Sequence, residues 1–370
     1  MTKKKKINQQ LRALIYGAGA IGRGFLAPLL NKFNTEISFV DINRQIIDEM
    51  KKRSHYKAAI TKDNGFEIMD TSIRKAFLLG EEGDIDGYDV IFSCVGPNNC
   101  YDLADKFKHA KTVISCENDS STSTKLRELS GNPRIYFGIP DVITSNTASD
   151  ELKRIDPLMT VTEKGILVLE KGDYQLPNEI PQVDQKELNM HWMCKLFIHN
   201  APHAIAAYLG WKRGYTYIHE AMADPDIEKI VEGSICEMTK GVVAVKYATA
   251  KFANMYKEKE LKRFRNKFLF DPISRVAREP LRKLSKDNRL ILGLRIAFFN
   301  GAMPINTAIG TKAALEYDNP LDNEAIYLQS LRKSLGDAEV LRKYSGIEMF
   351  DPLGDFITKQ DLSRFKKESK

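Results

Sequence analysis

ALIYGAGAIGRGF, residues 13–25, is the stretch on which the reading of the fold turns. Four apolar residues, Ala13 to Tyr16, run straight into glycine, as a strand buried on both faces does. Gly17, Gly19 and Gly22 then make a G-x-G-x-x-G pattern that opens an apolar stretch of helical period. The first glycine permits a tight turn, the second lets backbone approach a pyrophosphate, and the third brings helix and sheet close together. The helix start also offers free N–H groups and a partial positive charge to phosphates. Gly17, Ala18, Gly19, Ala20, Ile21 and Gly22 are therefore expected to line a dinucleotide site.

Working outward, ISFVD (37–41) reads as the second strand and DVIFSCVG (89–96) as a third. TVISCEN (112–118) and RIYFGIP (134–140) continue the same sheet, and KGILVLEKG (164–172) adds a strand or hairpin. Helical spacing in GRGFLAPLLNKF and RQIIDEMKKR separates them, so a doubly wound, mostly parallel sheet is predicted. Asp41 ends the second strand 19 residues after Gly22, where a carboxylate meets the adenosine ribose and repels a 2′-phosphate. The expected cofactor is NAD. Ligands lie outside the carboxyl ends of such strands, which adds Gly96 in Val95-Gly96-Pro97 and the pair Glu117-Asn118.

The proline-bearing DYQLPNEIPQVD (173–184) reads as a linker, placing a cofactor domain at residues 1–185 and a second domain at 186–370. Beyond it strand-like alternation nearly vanishes and long helical periods take over. A length of 370 residues fits two domains, and 43% hydrophobic with 28% charged residues excludes disordered, collagen-like and coiled-coil chains. The net charge of +7 owes four units to Lys3–Lys6, a solvated tail in this reading, so no nucleic-acid partner is expected. Five cysteines, without CxxC, suggest a reducing compartment and neither disulfides nor zinc. With no signal-peptide pattern and no apolar run of about 18 residues, a cytoplasmic protein without membrane contact is expected.

The densest reactive cluster is KLFIHNAPH, residues 195–203. On an α-helix Lys195, Asn200 and His203 fall at about 0°, 140° and 80°, one broad face around a small polar group. His199, at about 40°, lies on the same arc, and periodicity does not choose between the histidines. A buried Lys195 of lowered pKa would serve as general base toward an alcohol, with Asn200 and a histidine N–H stabilising the oxyanion. A helix with a snorkelling lysine and hydrogen-bonded histidines has the same spacing.

GAGAIGRGF, VGP, CEN and KLFIHNxxHAxxAYLG together resemble the polyol-specific long-chain dehydrogenase/reductase family, also called the mannitol dehydrogenase family. RFxN at Arg263–Asn266, D-x3-R-V-x-R-x-P-x-R-K-L at Asp271–Leu284 and RLI at 289–291 extend the likeness over residues 13–345. The resemblance implies an α/β Rossmann domain followed by a mostly α-helical domain, without a catalytic metal. It casts Lys195 as acid/base, Asn200 as oxyanion stabiliser and His203 as orienter of the substrate hydroxyl. Three stretches depart from the usual pattern. Asn200-Ala201-Pro202-His203 carries proline where glycine is usual, and a bend in the helix is expected. Gly138–Ser145 lacks the usual arginine after Asp141, and Lys267 replaces a proline.

Ten cations stand between Lys262 and Arg289, and arginine forks and lysine charges both suit an anion. Arg263, Arg282 and Lys283 are the candidate substrate anchors. The activity implied is NAD-dependent interconversion of a polyol phosphate and a ketose phosphate, with D-mannitol 1-phosphate and D-fructose 6-phosphate as lead pair. A hexuronate or unphosphorylated polyol is the alternative substrate, and a non-catalytic NAD-binding paralogue the alternative class. The partner expected is a small anionic sugar or polyol, acting on a monomer or small homo-oligomer.

Overall fold

Strand β1 (Arg12–Tyr16) lies inside the main sheet, and its side chains alternate between two apolar clusters. Ala13 and Ile15 join Phe39, Phe92 and Leu26, whereas Leu14 and Tyr16 join Val40, Ile91 and Phe107. The computed structural model describes residues 10–366; the Lys3–Lys6 tail lies outside the described residues. The chain divides by its internal contacts into two units, Met1–Leu188 and Asn189–Lys370.

In the first unit β2 (Glu36–Asp41) is followed by β3 (His55–Lys62), β4 (Gly65–Ser72) and β5 (Lys75–Leu78). Then come β6 (Val90–Ser93), β7 (Val113–Ser115), β8 (Ile135–Asp141), β9 (Thr144–Ser145), β10 (Val161–Thr162), β11 (Ile166–Glu170) and β12 (Gln182–Val183). The eight-stranded sheet runs β12-β11-β8-β7-β6-β1-β2-β5, parallel throughout except where β11 meets β8. Strand order reverses at β1, between β2 and β6, which is the switch point where doubly wound sheets bind ligands.

A four-stranded sheet, β4-β3-β10-β9, was not anticipated, nor was β5. Asp63-Asn64 turns the β3–β4 hairpin and Gly65, at φ +125°, opens β4 opposite Lys62, with Tyr56 and Ala58 of β3 buried and Lys57 between them partly exposed. Asn-Gly flanked by alternation is a strong hairpin signal. The proline-bearing linker also differs from expectation, because its end forms β12 and pairs with β11.

The second unit is helical among its described residues. Asp224 caps the 20-residue helix Pro225–Ala244, accepting from the Asp226 and Ile227 N–H groups, a contact worth about 1 kcal/mol. A Cβ on Gly310 would sit 2.3 Å from Ile205, so helix Ile305–Leu315 packs backbone-close on helix Ala201–Arg213. No helix of the described residues is long and apolar enough to cross a membrane.

Candidate functional site

The glycine loop closes the carboxyl end of β1. Gly17 has φ +103°, and a Cβ there would stand 2.6 Å from the Cys94 carbonyl at the end of β6. A Cβ on Gly22 would stand 1.9 Å from the Gly17 carbonyl. A Cβ on Gly19 meets nothing within 4 Å. Two glycines thus serve the protein's own packing, and the third faces space that a ligand backbone can take. This is the division of labour a pyrophosphate cradle needs.

Asp41 binds the loop from the side. Its Oδ2 accepts from Ala18 N at 2.6 Å and its Oδ1 from Asn43 N at 2.8 Å. Each oxygen keeps a second lone pair for a ribose hydroxyl. Arg23, unremarked in the sequence reading although it sits inside the motif, is only 5% exposed. Its Nε donates to the Ala18 carbonyl at 2.5 Å, and its other nitrogens reach the Leu158 carbonyl and Asn146 Oδ1. Burial lowers its pKa, partly offset by Tyr56, Asp41 and Asp156. The loop is therefore braced from beneath.

Glu117 is placed differently from its neighbour Asn118. Its carboxylate is buried and accepts from Ser93 Oγ at 2.7 Å, Val95 N at 3.0 Å and Gly96 N at 2.8 Å. Burial raises its pKa against those hydrogen bonds. Glu117 shapes the Val95-Gly96-Pro97 turn, in which Gly96 takes φ +104°, while Asn118 remains half-exposed.

The reactive cluster lies on the last two of three consecutive helical stretches, Gln185–Cys194, Lys195–Asn200 and Ala201–Arg213. The middle one is π-helical. Hydrogen bonding from i to i+5 sets residues five apart one above the other, so Lys195 and Asn200 do not diverge as they would on an α-helix. His203, three residues further along α-helix, returns to that face. All three are buried, at 8%, 8% and 7% exposure. Pro202 stands two residues past the π-helical stretch in a helical run that is unbroken from Gln185 to Arg213, so it takes one N–H out of the helical ladder there.

The histidines are told apart by their partners. His199 Nδ1 is 2.5 Å from Glu260 Oε2, and Arg263 lies 2.9 Å from the other Glu260 oxygen. Both groups are nearly inaccessible, so His199 is held by a buried carboxylate. His203 stacks on Phe264 at 4.9 Å with its Nε2 2.9 Å from Asp271 Oδ2. Glu260 is absent from the motifs read in the sequence, and Asp271 opens one of them without a role; they stand 61 and 68 residues from their histidines.

Five of the ten cations of the basic stretch are paired with carboxylates. Arg263 pairs with Glu260, Arg265 with Glu228, Arg275 with Asp271, and Arg278 and Arg282 with Glu279. Lys283 differs, being 3% exposed and donating to the Arg278 carbonyl. Burial pushes its pKa well below the ordinary lysine value, and Arg282 and Arg289 push it further. An anion would relieve that cost. No cluster of three or more histidine, cysteine or acidic side chains suited to a metal occurs among the described residues.

Comparison with known proteins agrees with this layout. The model of the mannitol dehydrogenase Rossmann domain matches residues 11–79, and that of the mannitol dehydrogenase C-terminal domain matches residues 187–345. A mannitol-1-phosphate 5-dehydrogenase of Caldanaerobacter subterraneus subsp. tengcongensis is 33% identical, over 95% of this chain and 97% of its own. Another from Exiguobacterium sp. is 32% identical, with 95% and 97% covered. Mannitol 2-dehydrogenase of Pseudomonas fluorescens, solved as a ternary complex with NAD and D-mannitol, has a TM-score of 0.78 at 15% identity, covering 95% of this chain and 91% of that one. The last likeness is one of fold; the sequence relatives, aligned nearly end to end, carry the kinship. The chain belongs to the mannitol dehydrogenase family.

Proposed function

We propose that the chain is an NAD-dependent oxidoreductase that interconverts D-mannitol 1-phosphate and D-fructose 6-phosphate. The observation that carries the chemistry is the π-helical turn, which puts Lys195, Asn200 and His203 on one buried face. An ammonium, an amide and an imidazole there provide a proton carrier, an oxyanion donor and a hydroxyl partner. Lys195 takes the proton of the reacting hydroxyl on oxidation and returns it on reduction. Asn200 donates its amide N–H to the oxygen as negative charge builds, and His203 orients the polyol. The relatives named mannitol-1-phosphate 5-dehydrogenase support the substrate pair.

The first unit fits the cofactor. The space beside Gly19 and the Ala18–Ile21 turn suit the pyrophosphate, and Asp41 suits the ribose. Gly96 and Asn118 complete the contacts, with Glu117 holding the Gly96 turn. NAD, when bound, supplies or accepts hydride at its nicotinamide ring. Residues 1–185 form the cofactor domain in this reading and 186–370 the substrate domain. Lys283 is the anchor for the substrate phosphate, with Arg282 and Arg263 as flanking cations. The protein is placed in the cytoplasm, as a monomer or small homo-oligomer.

The deciding experiment is a reduction panel with NADH and NADPH over fructose 6-phosphate, fructose, fructuronate and tagaturonate. Fructose 6-phosphate with NADH is expected to win by at least about 100-fold over fructose, the worth of a well-held charged group. A preference for fructuronate or tagaturonate would move the assignment to hexuronates, and no turnover with any of them would remove it.

A further inference from the structure

His203 has its ring plane fixed by two neighbours and one edge fixed by a third. Phe264 stacks on it at 4.9 Å and 9°, and His199, pinned by Glu260, lies 5.3 Å away at 49°. The edge carrying Nε2 meets Asp271 Oδ2 at 2.9 Å. The other Asp271 oxygen accepts from Arg275 Nε at 2.9 Å. Asp271 is 4% exposed, and its backbone is held independently, its carbonyl accepting from Ile218 N at 3.0 Å.

We propose that Asp271 is a positioning residue that holds a proton of His203 on Nε2, so that the neutral form of the imidazole presents Nδ1 as the acceptor for a polyol hydroxyl. The argument is one of donors and acceptors. A carboxylate only accepts, so the nitrogen facing it must carry hydrogen. Burial raises the pKa of Asp271, but the charge of Arg275 and the hydrogen bond from His203 outweigh it and keep the group ionised. With Nε2–H committed, Nδ1 is left with a lone pair. A substrate must then bring a hydroxyl donor to this point, which favours polyhydroxy chains over deoxy analogues. The substrate half of the proposal rests on the function proposed above; the tautomer does not.

The test uses the full chain labelled with 15N-histidine, read by long-range 1H–15N correlation at about pH 8.5, where an ordinary imidazole is neutral. Wild type is expected to show a protonated Nε2 and a bare Nδ1 at His203. In Asp271→Asn the charged Arg275 should claim the single amide oxygen, turning the NH2 toward Nε2 and inverting the tautomer. Turnover of fructose 6-phosphate should then fall about 10- to 100-fold in kcat, the range found when an imidazole loses its outer partner, with NADH affinity unchanged. Adding Arg275→Met to Asp271→Asn frees the amide oxygen and should restore the original tautomer, a readout that needs no activity. A proton on Nδ1 in wild type, or an Asp271→Asn chain with unaltered tautomer, overturns the proposal. Inversion without loss of kcat overturns its substrate half. Failure of wild type to reduce fructose 6-phosphate would sink the proposed substrate and leave the spectra to decide the tautomer.

Discussion

At the scale of single residues, the three loop glycines make separable demands. Gly17→Ala places a Cβ 2.6 Å from the Cys94 carbonyl at φ +103°, so a loss of at least about 2 kcal/mol of stability is expected. Gly19→Ala meets nothing in the protein and should change stability by under about 0.5 kcal/mol while NADH affinity falls. Chemical denaturation and NADH fluorescence titration on both variants check the pair; equal effects on stability would refute the cradle. Lys195→Ala should lower kcat by about 10²- to 10⁴-fold, the usual worth of a general acid–base, with NADH binding retained. Lys283 invites the opposite trade. Its folded pKa lies well below the ordinary 10.5, so below pH 10.5 the unfolded chain binds the proton more readily. Stability is therefore lost as pH falls from 10.5 through that window and stays lower at neutral pH. Lys283→Met should raise the melting temperature at pH 7 and raise KM for fructose 6-phosphate by about 10- to 100-fold. A more stable variant with unchanged KM would exclude Lys283 as the phosphate anchor.

At the scale of elements, what the sequence revealed depended on how local the cause was. Strands β1, β2, β6, β7, β8 and β11 announce themselves as uninterrupted apolar runs because neighbours bury both faces. The hairpin β3–β4 was equally visible in Asn64-Gly65, but a chain read as strand–helix alternation leaves no place for it. The π turn was not legible. An extra residue in a helix leaves apolar spacing that a 3.6 period fits passably, and only the packing of both flanks fixes the offset. That packing answers the expected effect of Pro202. Trp192 and Cys194 are buried before the turn, and Ala204, Ile205 and Tyr208 after it. Returning Lys195–Asn200 to α-helix would rotate one flank by about 100° out of its core. Pro202→Ala returns one N–H to the helical ladder, and the packing of the two flanks should hold the π turn in place. The variant is expected within about 1 kcal/mol of wild-type stability and within tenfold of its kcat, measured by thermal melting and steady-state assay. A larger loss of kcat at unchanged stability would mean that the proline itself sets the catalytic face.

At the scale of the whole molecule, charge and cofactor both belong to parts rather than to the average. Four units of the net +7 belong to Lys3–Lys6, and five arginines of the stretch from 262 to 289 are paired with nearby carboxylates, which makes the buried Lys283 the proposed anion site. Such pairing depends on partners such as Glu228 and Glu260, brought close by folding, and composition cannot report it. The same reasoning applies to the cofactor. Every residue assigned to NAD, from Gly17 to Asn118, lies in the unit that ends at Leu188, and that unit has its own apolar clusters on both faces of its sheet. A ligand bound only by the folded form stabilises by about 2.7 kcal/mol at a hundred times its Kd. If the assignment is right, native-state hydrogen exchange with NADH at that excess should show the gain in protection concentrated at the ends of β1, β2, β6 and β7. Peptides from helices Pro225–Ala244 and Ile305–Leu315 should gain much less from NADH alone. Gly19→Ala, with its fold intact, should lose the gain at the same NADH concentration. Protection centred on the second unit, or unaffected by Gly19→Ala, would contradict the assignment of the glycine loop to the dinucleotide.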